Sequence, residues 1–268
     1  MRHASMPMYD MPEVRAALDA LWDGLARNLR REGVADVPDT LLHDRPLAAL
    51  WADPDLLFSQ CCGYDIVNRC AGTLRPIATP HYDAPECDGG DYASVIVVAE
   101  DVAATDISDM RGAVCAVNGF ESHSGMNALR ALVAPLSENG RFFSTVKVSG
   151  THAGSLEMIG RGEADVTAID CVSYALIKRY RPGVLAGTRK LGESYRGPAI
   201  PYVTRSSEDE DTVARMRTAL MHTFADPNLA AVRDALLLKD VEALPESAYG
   251  RIAEFQTFAA RHGYAELR

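Results

Sequence analysis

The 268-residue chain lacks the short signatures of the commonest enzyme chemistries. It has no G-x-S-x-G elbow, no G-x-x-x-x-G-K-[ST] phosphate loop and no G-x-G-x-x-G dinucleotide turn. It has no C-x-x-C pair either. Its six cysteines, Cys61, Cys62, Cys70, Cys87, Cys115 and Cys171, follow no metal-ligand spacing, so neither a metal site nor a cofactor is assigned. Most of them lie in apolar runs, as buried free thiols in a reducing compartment do. No apolar run is long enough to cross a bilayer, so membrane insertion is not expected. Positive charge is also scarce: the formal net charge is −10 with no basic stripe, which excludes nucleic acid as the expected partner. A negative chain can still hold an anion through local dipoles. The opening "MRHASMPMYDMPEV" has no apolar signal-peptide core. As given, a cytoplasmic location is possible, and a periplasmic one requires an export signal that has been removed.

What is present is an alternation of strand and helix with ordinary globular composition, 47% hydrophobic and 24% charged. "ASMPMYD", "VPDTLLH", "DLLFSQCCG", "RPIAT" and the continuously apolar "YASVIVVAE" read as strands. Val14, Leu18, Leu21, Leu25 and Leu29 mark a helix behind Pro12. A second series starts near residue 100 with the strands "GAVCAVN", "STVKVSG" and "ADVTAID". Each precedes a helical segment, the last being "CVSYALIKRY". "VLAGTRK" and "PAIPYVTR" read as further strands, and three helices close the chain, through "EDTVARMRTALMHTF", "LAAVRDALLL" and "SAYGRIAEFQTFAARHG". There is no internal repeat. The pattern predicts an α/β fold with mainly parallel sheets in two lobes, lobe 1 from 1–98 and 195–268 and lobe 2 from 99–194.

Chemistry-bearing residues gather at strand-to-helix turns. "NGFESHSGMNALR" places Ser122, His123, Ser124 and Gly125 where an amphipathic helix begins. Unpaired N–H groups and the helix dipole make such a turn a cradle for an anion, with the hydroxyls as extra donors. A helix cap at Ser124 is the simpler reading, and a nucleophile the third. "SGTHAG" puts His152 at a second such turn, and Asp170 ends a further strand, where it either reaches the same sheet edge or caps the next helix. In the first lobe Tyr9, Gln60 and Tyr64 lie at or just past strand ends, with Tyr82 and Tyr92 flanking a Pro- and Asp-rich loop. Ser122, Ser124, His123, His152 and Asp170 include the residue types of a hydrolytic triad, but no strained elbow presents them.

Taken together, "MPMYDMPEV", "FSQCCGY", "NGFESHSGMNALR" and "SGTHAGSLEMIGRGEADVTAID" resemble the phosphate/phosphite/phosphonate group of ABC-transporter substrate-binding proteins, over roughly residues 4 to 240. The resemblance implies a type 2 periplasmic-binding-protein fold, with two α/β lobes, a ligand in the cleft between them and closure by hinge motion. In that family a Ser-Thr-Ser run grips the phosphonate oxygens. Ser122, His123 and Ser124 stand in those places, His123 replacing the threonine. His152 matches a Gly-Ser-His histidine, Asp170 stands near the family's acidic group for a ligand amine, and Gln60 and Tyr64 match its first-lobe ligand segment. The implied function is a non-enzymatic receptor for a small oxyanion-bearing solute, partnered by transporter membrane subunits. An enzyme on the same fold, like the pyrimidine-precursor synthases, and a cytosolic ligand sensor are the alternatives.

Overall fold

Leu18, Leu21, Leu25 and Leu29 recur at helical spacing. In the computed structural model of the protein, which describes residues 2–268, they lie on the buried stripe of helix α1 (Arg15–Arg31). Arg30 and Arg31 sit in its last turn, where cations meet the negative end of the helix dipole. Gly33 then takes a φ of 78°, a left-handed turn that a side chain would resist. The chain divides into two units. Unit 1 is the chain up to Asp83 with Pro198–Tyr249, and unit 2 is Ala84–Gly197 with Gly250–Arg268.

With elements numbered in chain order, unit 1 contains strands β1 (His3–Ala4), β2 (Leu56–Gln60), β3 (Leu74–Tyr82), β12 (Tyr202–Arg205) and β13 (Leu238–Glu242). Its helices are α1, α2 (Leu47–Ala52), α3 (Gly63–Val67), α7 (Glu210–Ala225) and α8 (Ala230–Ala235). The sheet order is β1-β2-β12-β3-β13. β1 and β2 are parallel, whereas β12 runs antiparallel to both β2 and β3, and β13 antiparallel to β3. All five residues of β2 are buried, as in a strand covered on both faces. Phe58, at its centre, packs against Trp22 of α1 at 5.7 Å and Tyr202 of β12 at 5.1 Å between ring centroids. Asn28 Nδ2 donates to Thr223 Oγ1 at 2.9 Å and ties α1 to α7.

Unit 2 contains the hairpin β4 (Cys87–Asp88) and β5 (Asp91–Tyr92), then β6 (Ser94–Ala99), β7 (Val114–Val117), β8 (Thr145–Val148), β9 (Val166–Asp170) and β10 (Thr188–Glu193). Its helices are α4 (Ala128–Val133), α5 (His152–Gly160), α6 (Cys171–Tyr180) and α9 (Gly250–Arg261). β11 (Gly197–Pro198) falls on the boundary. The sheet order is β10-β6-β9-β7-β8, parallel across β9-β7-β8 and antiparallel at β10-β6 and β6-β9.

The α/β class and the two-lobe organisation stand, with five corrections. Both sheets are mixed rather than mainly parallel, because the crossing strands β6, β12 and β13 run against their neighbours. The boundaries fall at 83/84 and 197/198 rather than 98/99 and 194/195. β6 pairs with β9 and β10, and α9 returns to unit 2. "VPDTLLH" forms no strand, and its Leu42 N–H donates to Ala4 O at 2.8 Å. "ASMPMYD" is extended only at its start and becomes a 3-10 turn at Pro7–Tyr9, where proline supplies no N–H for a ladder. Finally, "LAAVRDALLL" stops as a helix at Ala235. Leu237 adopts a φ of 57°, and Leu238 enters β13 against β3.

Because Phe58 is fully buried between two aromatic rings, Phe58→Ala is expected to destabilise the protein by about 3–5 kcal/mol. Urea unfolding at pH 7 measures it, and a loss below about 1 kcal/mol contradicts this account of the unit 1 core.

Candidate functional site

β7 and β8 pair in parallel with Val117 opposite Val148, so the two chain segments leave the sheet at the same edge. After β7, residues His123–Asn127 form a π-helical turn that leads into α4. Single π turns inside helices recur at functional positions. Ser122 is its cap: the hydroxyl accepts the Gly125 N–H at 3.0 Å. Only glycine fits at 125, because a Cβ there would overlap Asn118 Oδ1, a buried oxygen without a partner. After β8, Thr151 caps α5 by accepting the Gly154 N–H at 2.9 Å, and His152 is the first residue of that helix. Ser149 holds the junction by donating to Val117 O at 3.1 Å.

This brings Ser124 and His152 together, with Ser124 Oγ 3.2 Å from His152 Nε2. Nδ1 of His152 is buried and has no partner. With the hydroxyl proton on Nε2, Nδ1–H is a donor awaiting an acceptor; burial lowers the His152 pKa to about 4, so the ring is neutral at pH 7. Ser94 Oγ donates to Ser124 O at 2.9 Å and fixes the turn from β6. On β9, Thr167 Oγ1 is a further buried oxygen without a partner.

His123 is placed differently from its two serine neighbours. Asn127 Nδ2 donates to His123 Nδ1 at 3.1 Å and to Ile252 O at 3.1 Å. Arg130 Nη2 donates to Asn127 Oδ1 at 2.6 Å, and Arg130 Nη1 to Ala265 O at 2.7 Å. The ring lies against Phe255 at 5.0 Å and Tyr92 at 6.1 Å. Burial pushes its pKa down to about 4. His123 therefore sits in unit 2 as a neutral packing residue with Nδ1 occupied. Asp170 also serves its own helix: Oδ1 accepts the Val172 and Ser173 N–H groups, both at 2.9 Å, and the carboxylate faces the positive end of the α6 dipole.

In unit 1, Gln60 ends β2. Its Nε2 donates to Tyr82 Oη at 3.4 Å while its Oε1 is buried without a partner. Tyr9 meets Tyr82 edge-on at 5.2 Å, and Tyr64 is half-buried at the start of α3. Sequence reasoning found Tyr9, Gln60 and Tyr64 but not that Tyr82 joins Tyr9 and Gln60. It also missed Asn118, Asn127, Arg130 and Thr167. The polar residues following "AVCAV" and inside an apolar helix run were the available signal. Among the described residues, His3, Asp53 and Asp55 are the group whose donor atoms lie within 4.8 Å of one another. Asp53 is already served by the Asp55 N–H and by Arg45 at 2.7 Å, which hold its pKa below the usual carboxylate range.

The protein thus has two α/β units, one carrying two strand-to-helix turns with buried unpartnered polar atoms. The chain matches the family model for ABC transporter, phosphonate, periplasmic substrate-binding protein over residues 4–249, and it belongs to that family of solute receptors. No curated protein sequence matches it. Among solved structures it is similar to PhnD1 of Prochlorococcus marinus in complex with methylphosphonate, at 13% identity and TM-score 0.74, covering 96% of this chain and 97% of that one. It is also similar to a binding-protein component of a phosphonate ABC transporter from Pseudomonas aeruginosa, at 13% identity and TM-score 0.75, covering 98% and 87%. A Xanthomonas citri protein bound to chloride ion aligns at 14% identity and TM-score 0.73, covering 98% of each. Receptors of this family work with transporter membrane subunits. No helix among the described residues is long and apolar enough to cross a membrane.

A buried neutral histidine makes stability pH-dependent with a defined sign. The His123 pKa falls from 6.5 unfolded to about 4 folded, so its contribution is full above the unfolded value. It is lost as pH drops from 6.5 toward 4, by up to about 3 kcal/mol, and the loss levels off below that range. His152, also lowered to about 4 by burial, adds a slope of the same sign, so His123→Gln is expected to remove about half of the histidine contribution when unfolding free energies are compared at pH 7 and at acid pH. A variant with the unchanged wild-type slope places the proton elsewhere.

Proposed function

We propose that the anionic head of a small phosphonate- or phosphate-like solute is held at the β7 and β8 junctions of unit 2. His152 Nδ1–H, held in that form by the Ser124 hydroxyl donating to Nε2, and the backbone N–H groups of the two turns are its donors. The observation that carries this reading is the buried, unpartnered His152 Nδ1 beside Ser124. A buried imidazole nitrogen without a partner is destabilising unless a ligand completes it. Ser122 shapes the turn as its cap. His123 and Asp170 support the turn and α6 from within. In unit 1, Gln60 is a separate candidate contact through its own unpartnered Oε1. That oxygen accepts, so it suits a solute that also carries a donor such as an amine or a protonated oxygen. The methylphosphonate carried by PhnD1 supports the phosphonate class for this chain.

The solute is bound without turnover. His152 Nδ1 has no carboxylate or carbonyl orienting it as a general base, and Asp170 Oδ1 accepts from the first N–H groups of α6. The chain works on the outer side of the membrane and hands its solute to the transporter.

Titration calorimetry with methylphosphonate, 2-aminoethylphosphonate, phosphite and phosphate tests the reading. One of them is expected to bind, and product analysis to find it unchanged. Ser124→Ala is expected to weaken binding about 10-fold, since it removes the hydroxyl that holds His152 in its Nδ1–H form and leaves Nε2 unpaired. Ser122→Ala is expected mainly to lower stability, by about 0.5–2 kcal/mol. Because the free His152 pKa is about 4 and an anion raises it, affinity should be flat at high pH and rise as pH falls through the bound-state pKa. His152→Gln should abolish that rise while retaining weak binding. No binding of any of the four anions, or an unaltered affinity in both Ser124→Ala and His152→Ala, sinks the assignment.

A further inference from the structure

Two of the six cysteines meet in unit 2 outside the proposed anion site. Cys87 lies on β4 and Cys171 is the first residue of α6, and their Sγ atoms are 3.5 Å apart although 84 residues separate them in sequence. Cys171 is fully buried and Cys87 half-buried, so solvent reaches the pair through Cys87 alone. The hairpin that carries Cys87 is held by other groups. Glu86 is buried and receives Lys190 Nζ at 2.7 Å. Arg251 donates to both carboxylate oxygens of Asp91, at 2.7 and 2.5 Å. Ala93 N–H donates to Glu86 O at 3.1 Å. The opposite side is equally fixed, since Asp170 caps the helix that begins with Cys171. The two thiols are therefore brought into contact by the frame around them.

We propose that Cys87 and Cys171 form a modification site, a dithiol that closes to an intramolecular disulfide by exchange with a low-molecular-weight disulfide. In the first step the Cys87 thiolate attacks one sulfur of the reagent, forming a mixed disulfide and releasing one reagent thiolate. In the second the Cys171 thiolate attacks Cys87 Sγ, forming the Cys87–Cys171 bond and releasing the second. The two protein protons end on the two released thiolates, so two protein thiols are oxidised and one reagent disulfide becomes two thiols. The sulfurs must approach from 3.5 Å to about 2.05 Å, a shift that side-chain rotation and a two-residue strand can supply. Hydrogen bonding to Cys87, burial and the neighbouring Asp170 charge hold the Cys171 thiol above the usual range, which makes Cys87 the first attacker.

The other cysteines supply contrasts. Cys115 is buried, with its thiol on the Ala116 carbonyl. Cys61 and Cys70 are both buried within the hydrophobic cluster of Leu50, Trp51 and Leu56; burial and the Cys70 hydrogen bond hold the Cys61 thiol above the usual range, and the same bond holds that of Cys70 below it, so the peptide map separates this pair from Cys87–Cys171. Cys62 is half-buried and belongs to a different unit from the Cys87 pair.

The test is to incubate the full folded chain with oxidised glutathione, then denature, alkylate and map peptides by mass spectrometry. The expected result is loss of two of the six alkylatable thiols, a Cys87–Cys171 linked peptide and an upward shift in Tm that dithiothreitol reverses. Cys171→Ala should halt at a glutathionyl adduct on Cys87. If that variant does not fold, Cys87→Ala, at the half-buried hairpin position, should leave Cys171 alkylatable and the Tm unmoved. Wild-type protein that keeps all its thiols, stops at the Cys87 adduct or links a different pair overturns the proposal, as does a Cys87→Ala variant that behaves like wild type.

Discussion

The parallel pairing of β7 with β8 is the constraint on which the unit 2 site depends. Register puts Val117 beside Val148, so both segments leave the sheet at one edge, and a hydroxyl and an imidazole far apart in sequence come within 3.2 Å. Everything around them preserves that approach. Ser149 pins one junction to the last carbonyl of β7, Ser94 holds the other from β6, and Gly125 lets the turn pass Asn118 without a side chain in the way. A one-residue slip would send these groups to the opposite face of the sheet.

The turn itself is secured from behind. A chain of hydrogen bonds runs from His123 through Asn127 to Arg130 and on to the backbone at Ile252 and Ala265. Such a network is stable only when nearly every member is paired, and each broken link would leave a buried polar group unsatisfied. This explains why the helix after "ESHSG" carries an asparagine and an arginine among its apolar residues. It also explains how a histidine is accommodated between the two serines of that run. The ring lies between Tyr92 and Phe255 as a neutral group.

The polar atoms left over then acquire meaning. Burial without a partner is destabilising, and in unit 2 these atoms include Asn118 Oδ1 and His152 Nδ1 at the two turns and Thr167 Oγ1 on β9. In unit 1 the corresponding atom is Gln60 Oε1, at the end of a fully buried strand. Neutral donors and helix termini suffice to hold an anion on a chain whose net charge is −10, because local dipoles act at contact distance while the overall charge is screened.

Local patterns in the chain determined a good deal. The 3.6-residue spacing of Leu18, Leu21, Leu25 and Leu29 specified α1, the unbroken apolar run at 95–99 specified a strand covered on both faces, and the positions of Ser122, Ser124, His152 and Gln60 at or past strand ends marked them as candidates. These are properties of neighbouring residues, so they can be read without the fold. Tertiary structure decided what depends on distant partners. Leu238 became a strand because β3 offered an edge, and α9 joined unit 2 because Asn127 and Arg130 hydrogen-bond to its backbone and the tail after it. The same serine-histidine-serine run divided into a cap, a packing ring and a buried hydroxyl that meets His152, according to what lay opposite each. Asp170 was a cap or a ligand with equal plausibility until the α6 N–H groups claimed it. Cys87 and Cys171 are unremarkable 84 residues apart and meet only because β4 and the start of α6 are folded against each other. Local spacing encodes which face of an element is apolar. Which polar groups are left without partners depends on long-range packing, and the binding chemistry depends on those groups.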